Sequence, residues 1–332
     1  MNSTVIVWSD PGETHFNILR ENPLGDTHFV IAPFDKNKRS FNIRGAATTI
    51  ELDDLSIQLS GKAPLSSTSE SEYQNAIHRA VDQLKNHHAD KVVVSAITSY
   101  KFDPKPVLWL EGFREQYPQA FIYLIQSEET GTWLGATPER LVSGFQNEYK
   151  TISLAGTRKS EDETIPWGQK EGLEQSIVTD YLRNLLVENG AENIRISRAQ
   201  TLSYGTLQHL ASDISFQSDK KVEDIANMLH PTPAVCGTPL EKALEMLPAL
   251  EEHDRKYYTG FLGTLTEQGN TALYVNLRCM ELFEDGICCY TGCGITEDSI
   301  AEDEWHETRL KLRSMVSIIE KMQKLRDILI PC

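Results

Sequence analysis

Apolar and polar positions along this chain of 332 residues repeat with two different periods. A spacing of three and four marks helices, because 3.6 residues make one turn. Tyr73, Ile77, Val81 and Leu84 predict a helix over 70–85, and Glu174, Val178, Tyr181 and Leu185 predict another over 169–188. Further helices are expected over 222–229, 239–246 and 300–329, the last carrying a stripe of Trp305, Leu312, Val316 and Ile319. Alternation by two, or a short unbroken apolar run, marks strands at 92–97, 121–125, 132–134, 140–144, 149–154, 194–197 and 207–214. Before residue 60 the runs at 5–8, 28–32 and 48–52 read as strands and carry no motif. A hairpin over 272–283 and 287–291 turns at Asp285-Gly286. Long hairpins with helices inserted in blocks predict an α+β fold rather than a doubly wound parallel sheet. The Ser-rich stretch 61–69 is a soft boundary between residues 1–69 and 70–332 within what reads as one continuous domain.

Composition narrows the function. The chain is 40% hydrophobic without a run of 18 apolar residues, so no membrane span is expected. Its first residues lack a basic segment and soon meet Asp10 and Glu13, which predicts no secretory signal and a cytoplasmic protein. The formal charge of −16 argues against nucleic acid and anionic membranes as partners. An anionic substrate would need local cations, and a divalent metal would help. The six cysteines form no Cys-x-x-Cys, and Cys288 and Cys289 point to opposite faces of a strand, so reduced buried thiols are expected.

Several residues then stand out. In Tyr290-Thr291-Gly292-Cys293-Gly294-Ile295 two glycines remove side chains where a backbone can approach a ligand. Ser299-Ile300-Ala301-Glu302 has the form of a capping box. Beyond it Glu304, Glu307 and Lys311 share one helix face, either a solvated surface or a site for a hard cation and an anion. Glu174 lies on an apolar stripe, where a carboxylate needs an Arg such as Arg158 or Arg183, or a metal. Lys91 opens a Val-rich strand, either solvated or partly buried with a lowered pKa. Glu139 follows a Gly–Pro turn, either paired with Arg140 or acting as an acid of raised pKa. Arg278 reads as a mid-strand arginine, suited to a carboxylate if it faces a cavity and without meaning on a solvated face, and 155–158 offers a glycine turn for an anion. His209 and His230 lack the companions of a transition-metal site. No Walker A, Gly-x-Ser-x-Gly or His-Glu-x-x-His motif is present.

Taken in order, Lys91-Val-Val-Val-Ser, Gly135-Ala-Thr-Pro-Glu139, Leu154-Ala-Gly-Thr157, Lys170 with Glu174, and Leu207-Gln-His209-Leu-Ala resemble the chorismate-utilising enzymes. So do His230-Pro-Thr-Pro-Ala-Val-Cys-Gly237, Asn276-Leu-Arg278-Cys, and Gly292-Cys-Gly294-Ile through Glu304-Trp-His-Glu307-Thr. The likeness covers about 70–325 and is nearest to isochorismate synthase, since the amine-transferring members usually read Gly-Thr at Pro233-Ala234 and Ala-Pro-Lys at 238–240. It implies the fold of anthranilate synthase component I, two large antiparallel sheets packed as a sandwich with helices outside. It also implies Mg²⁺ held by Glu174 and Glu304 with Glu307 close by, Lys91 as general base and Glu139 as general acid. Gly156, Thr157, His209, Ala234, Arg278, Gly292, Gly294 and Lys311 would contact chorismate. The expected reaction is the reversible conversion of chorismate to isochorismate, with salicylate synthase as the alternative and a silent metal-binding protein as a third. Ala96 and Gly172 stand where the family often has Arg, and Gln175 where it has His. A monomer without an obligatory glutaminase subunit is expected; whether its product serves menaquinone, siderophore or salicylate synthesis is not written in the chain.

Overall fold

The computed structural model of the chain describes residues 4–64, 67–159, 166–204 and 207–329, with the side chains at 155, 157, 159, 170, 204, 207 and 324–329 outside that description. Strands follow one another edge to edge. In one layer β12 (Leu207–Gln217) pairs with β9 (Glu148–Lys159), then come β8 (Arg140–Phe145), β15 (Asn270–Val275), β14 (Phe261–Thr266) and β3 (Thr27–Ala32). The other layer runs through β1 (Val5–Ser9), β6 (Phe121–Ser127), β7 (Gly131–Thr137), β16 (Cys279–Phe283), β17 (Gly286–Ile295), β5 (Lys91–Lys101) and the short β13 (Gly237–Thr238). β4 (Phe41–Ile50) and β2 (Phe16–Glu21) bridge the two, and β10 (Glu192–Ile196) and β11 (Gln200–Tyr204) line the far edge of β12. All of these pairings are antiparallel. The expected sandwich forms, and its two layers belong to one hydrogen-bonded network.

Between the layers lies an aromatic interior of Phe29, Phe121, Tyr123, Trp133, Tyr274 and Tyr290. Phe121 stacks on Tyr274 with ring centroids 4.6 Å apart. Helices close the outer faces. α1 (Glu70–Lys85), started by a complete Ser69–Glu72 capping box, packs with α5 (Leu240–Leu250) on the outside of β5 and β17. α2 (Pro106–Gln116) and α6 (Ala301–Leu329) cover β6, β7 and β16 with Trp109, Leu110, Phe113, Leu312, Met315 and Ile319. Each such side chain contributes about 1.5–3 kcal/mol on burial. α3 (Gln169–Glu188) and α4 (Val222–Leu229) cover the other layer.

Three expectations need correction. The long strand over 272–283 is two strands, β15 and β16, separated at Asn276–Arg278, and Arg278 has φ +46 rather than an extended backbone. The left-handed residue interrupts the extended run between β15 and β16, while its carbonyl still accepts the Ala136 amide of β7 at 3.1 Å. The apolar stripe of α3 is centred on Val178, Leu182 and Leu186, with Gln175 in line, so Glu174 lies at its rim instead of on it. Finally, Ser299 forms no capping box with Glu302. Its hydroxyl accepts the Thr296 amide (3.1 Å) and donates to Glu304 Oε1 (2.8 Å).

Candidate active site

A cavity of about 260 Å³ opens between the layers beside α3 and α6. It is lined by Lys91, Glu139, Gly156, Glu174, His209, Ala234, Arg278, Gly292, Gly294, Glu304, Glu307 and Lys311. Residues scattered over more than two hundred positions thus meet in one place. Thr157 pairs with His209 through its backbone; its side chain lies outside the described residues.

Lys91 comes from the start of β5, where the ladder to β17 sets Val93 opposite Gly294. A Cβ on Gly294 would stand 2.5 Å from Lys91 Cε and 3.0 Å from Nζ. That glycine therefore clears the path of the lysine, a use of the Gly-x-Gly turn that differs from the backbone approach expected of it. Burial lowers the Lys91 pKa, an effect that Glu174 opposes and Lys311 reinforces. Glu139 follows the Thr137–Pro138 end of β7 and is buried, while its neighbour Arg140 pairs with Asp213 at 2.7 Å. Adjacent residues point to opposite sides, so the local Glu139–Arg140 pair does not form. Burial raises the Glu139 pKa to about 7, against the pull of Lys91 and Lys311.

Gly156 sits in a β-bulge opposite His209 and Leu210 with φ +67, the left-handed region that glycine enters without cost. Its carbonyl faces His209 Nδ1 at 3.1 Å. Burial lowers the His209 pKa to about 4, so the ring is neutral at physiological pH and Nδ1–H is the donor. His230 is buried elsewhere, bonded through Nε2 to the Phe34 carbonyl, and is structural.

α3 is anchored by Gln175, whose Nε2 lies 2.9–3.1 Å from the hydroxyls of Ser153, Thr179 and Ser212. This ties the helix to β9 and β12 and leaves the preceding Glu174 at the cavity. On α6, Glu304, Glu307, Lys311 and Met315 fall on one face and all line the cavity. Lys311 Nζ bonds Glu307 Oε1 and the Gly292 carbonyl, both at 2.8 Å. Lys311 holds the Glu307 carboxylate below its ordinary pKa.

Five glutamates (139, 171, 174, 304 and 307) outnumber the three basic side chains (Lys91, Arg278 and Lys311) around this space. The excess negative charge would repel an anionic ligand. The oxygen donors of Glu304 and Glu307 suit a hard divalent cation such as Mg²⁺, and Glu174 lines the same cavity from α3 without joining their close cluster. Ligand atoms of Glu304, Glu307 and Cys293 lie within 4.8 Å of one another. Burial raises the Cys293 pKa well above the ordinary thiol value, and Mg²⁺ takes oxygen rather than sulfur ligands, so the carboxylates are the donors that fit. The five described cysteines are free and buried, as expected; Cys332 lies outside the described residues.

Glu171, Tyr258, Thr259, Leu277 and Ser299 also line the cavity and were not singled out as site residues from the chain alone. Glu171 precedes Glu174 by three positions, the one signal that placed it on the same helix face.

A family model described as chorismate binding enzyme matches residues 36–320. The chain belongs to the chorismate binding enzymes. Among curated members of this family it is 29% identical over 259 residues to isochorismate synthase EntC of Escherichia coli (strain K12), covering 74% of this chain and 66% of the relative. It is 28% identical over 331 residues to isochorismate synthase MenF of Bacillus subtilis, covering 95% and 65%. The chain thus spans about two thirds of the length of the curated relatives it matches. The structure of MenF, the menaquinone-specific isochorismate synthase of Escherichia coli, superposes with a TM-score of 0.82 at 17% identity, covering 96% of this chain and 89% of that one. The α+β sandwich is therefore the family fold, and the protein is an enzyme. No described helix is long and apolar enough to cross a membrane.

Proposed function

We propose that this chain is an isochorismate synthase, a Mg²⁺-dependent isomerase that interconverts chorismate and isochorismate. One observation carries the reading: Lys91 and Glu139 line the same cavity, and burial drives each toward its neutral form. A neutral amine and a protonated carboxyl are the two states needed at once, one to accept a proton and one to give it. Lys91 takes a proton from the water that adds at C2 of the ring. Glu139 delivers its proton to the hydroxyl leaving C4, and the double bonds shift between them.

Arg278, at the left-handed break between β15 and β16, lines the cavity and suits a substrate carboxylate, with Lys311 as a second cation. Uncharged His209 offers a polar ring edge that adds no charge beside the leaving group. Glu174, Glu304 and Glu307 would hold Mg²⁺, with Ser299 orienting Glu304. When bound, Mg²⁺ supplies positive charge against the ring carboxylate and the surrounding glutamates. The relatives named isochorismate synthase support the same choice within the family.

The test is to incubate the protein with chorismate and Mg²⁺ and resolve products by chromatography. Isochorismate as the sole product is expected. Salicylate together with pyruvate would instead make it a salicylate synthase, and ammonia-dependent anthranilate an amine-transferring enzyme. Absence of turnover would overturn the reading.

A further inference from the structure

Behind the cavity wall lies a buried ion pair that none of these steps uses. Arg255 is 3% exposed, and all its N–H donors are engaged. Nε and Nη2 donate to Glu251 Oε2 (2.8 Å) and Oε1 (2.5 Å), forming a fork. Nη2 also donates to the Val93 carbonyl at 2.5 Å, and Nη1 to the Val235 carbonyl at 2.9 Å and Thr259 Oγ1 at 3.3 Å. The guanidinium sits 4.4 Å over the Phe34 ring. Glu251 Oε1 in turn accepts the Ser95 amide at 2.7 Å.

The three acceptors Val93, Val235 and Thr259 all line the cavity, and they come from three separate segments. Val93 is two residues from Lys91 on β5. Val235 follows Ala234 in the turn after α4. The Thr259 amide donates to the Asn276 carbonyl, two residues before Arg278. One guanidinium therefore joins the base strand, the Ala234 turn and the Arg278 break.

Stability alone does not call for such a pair. Burying two charges is costly, and well-packed apolar replacements often leave a protein as stable or more so. Apolar side chains, however, cannot hold three oxygens from three segments at fixed directions. We infer that the Arg255–Glu251 pair is a positioning device for the reaction, setting Lys91 against the Ala234 turn and the Arg278 segment without touching substrate. This rests on the reading of Lys91 as the base.

The experiment compares wild type, the double variant Glu251→Leu/Arg255→Met, and Arg255→Lys in chorismate turnover, thermal melting and amide hydrogen exchange. The double variant is expected to stay folded, with kcat reduced about thirtyfold or more and KM within about threefold, because sub-ångström misplacement acts on the chemical step. Exchange should quicken together at 91–95, 232–236 and 257–261 and stay as in wild type at 106–116. Arg255→Lys keeps the charge but lacks the fork, so kcat stays low. A folded double variant with wild-type kcat and exchange would overturn the inference. So would unfolding of both variants, which would make the pair a support of the fold. A wild type without turnover refutes the functional reading instead, and the exchange comparison then decides the positioning alone.

Discussion

One face of strand β17 changes character within five residues. Tyr290 is buried and stacks on Trp133 and Tyr258, with ring centroids 5.3 and 5.7 Å away. Gly292 and Gly294, the next two positions on the same face, carry no side chain, and the cavity with Lys91 opens beside them. The same two layers are thus filled by aromatic rings at one end and left open for charged groups at the other. Packing energy is concentrated where the rings are, and chemistry is placed where side-chain volume has been removed. Substitutions should separate the two regions.

The largest effects belong to the cavity. Lys91→Ala and Glu139→Gln should each lower kcat by about 10²–10⁴-fold, the range of a lost general base or acid, with melting temperatures close to wild type. Retained turnover in either variant would break the comparison at its chemical end. At the aromatic end, Phe121→Ala should cost about 3–5 kcal/mol of stability in urea unfolding. Its kcat, measured on folded protein, should change little. A smaller effect is expected where the two regions touch. Gly294→Ala places a methyl against the end of the Lys91 side chain, which can swing away, so the fold survives while kcat falls about tenfold. Equal loss of stability and rate would show that this glycine serves packing only.

The smallest effect is in pH. Glu139 must be protonated to act as the acid, and its pKa of about 7 means that this form is complete below 7 and lost above it. Lys91 must be neutral, a form that grows as pH rises through its lowered pKa. The profile of kcat/KM should therefore be bell-shaped, with one of its two limbs near 7.

Much of this was legible in the chain. The helices over 70–85, 169–188 and 222–229 were readable because their apolar residues recur at helical spacing. α2 was not, since Pro104 and Pro106 hide its start, and neither were β2, polar β11, or β14, whose run is interrupted by Gly260 and Gly263. The cavity residues that carry side-chain chemistry could be named because they fall in ordered motifs. Arg255 and Glu251 could not, because Arg255 works on the Val93 and Val235 carbonyls and Glu251 on the Ser95 amide, and a backbone partner leaves no mark on side-chain pattern. Arg278 was placed but misread, since alternation alone does not reveal a positive φ.

In the proposed reaction Lys91 activates water for addition at C2 while Glu139 expels the C4 hydroxyl. Conversion in ¹⁸O-labelled water tests it most directly. Isochorismate with one label, located in the C2 hydroxyl, is expected from wild type and not from Lys91→Ala. Unlabelled isochorismate, its C2 hydroxyl carried over from C4, would contradict it.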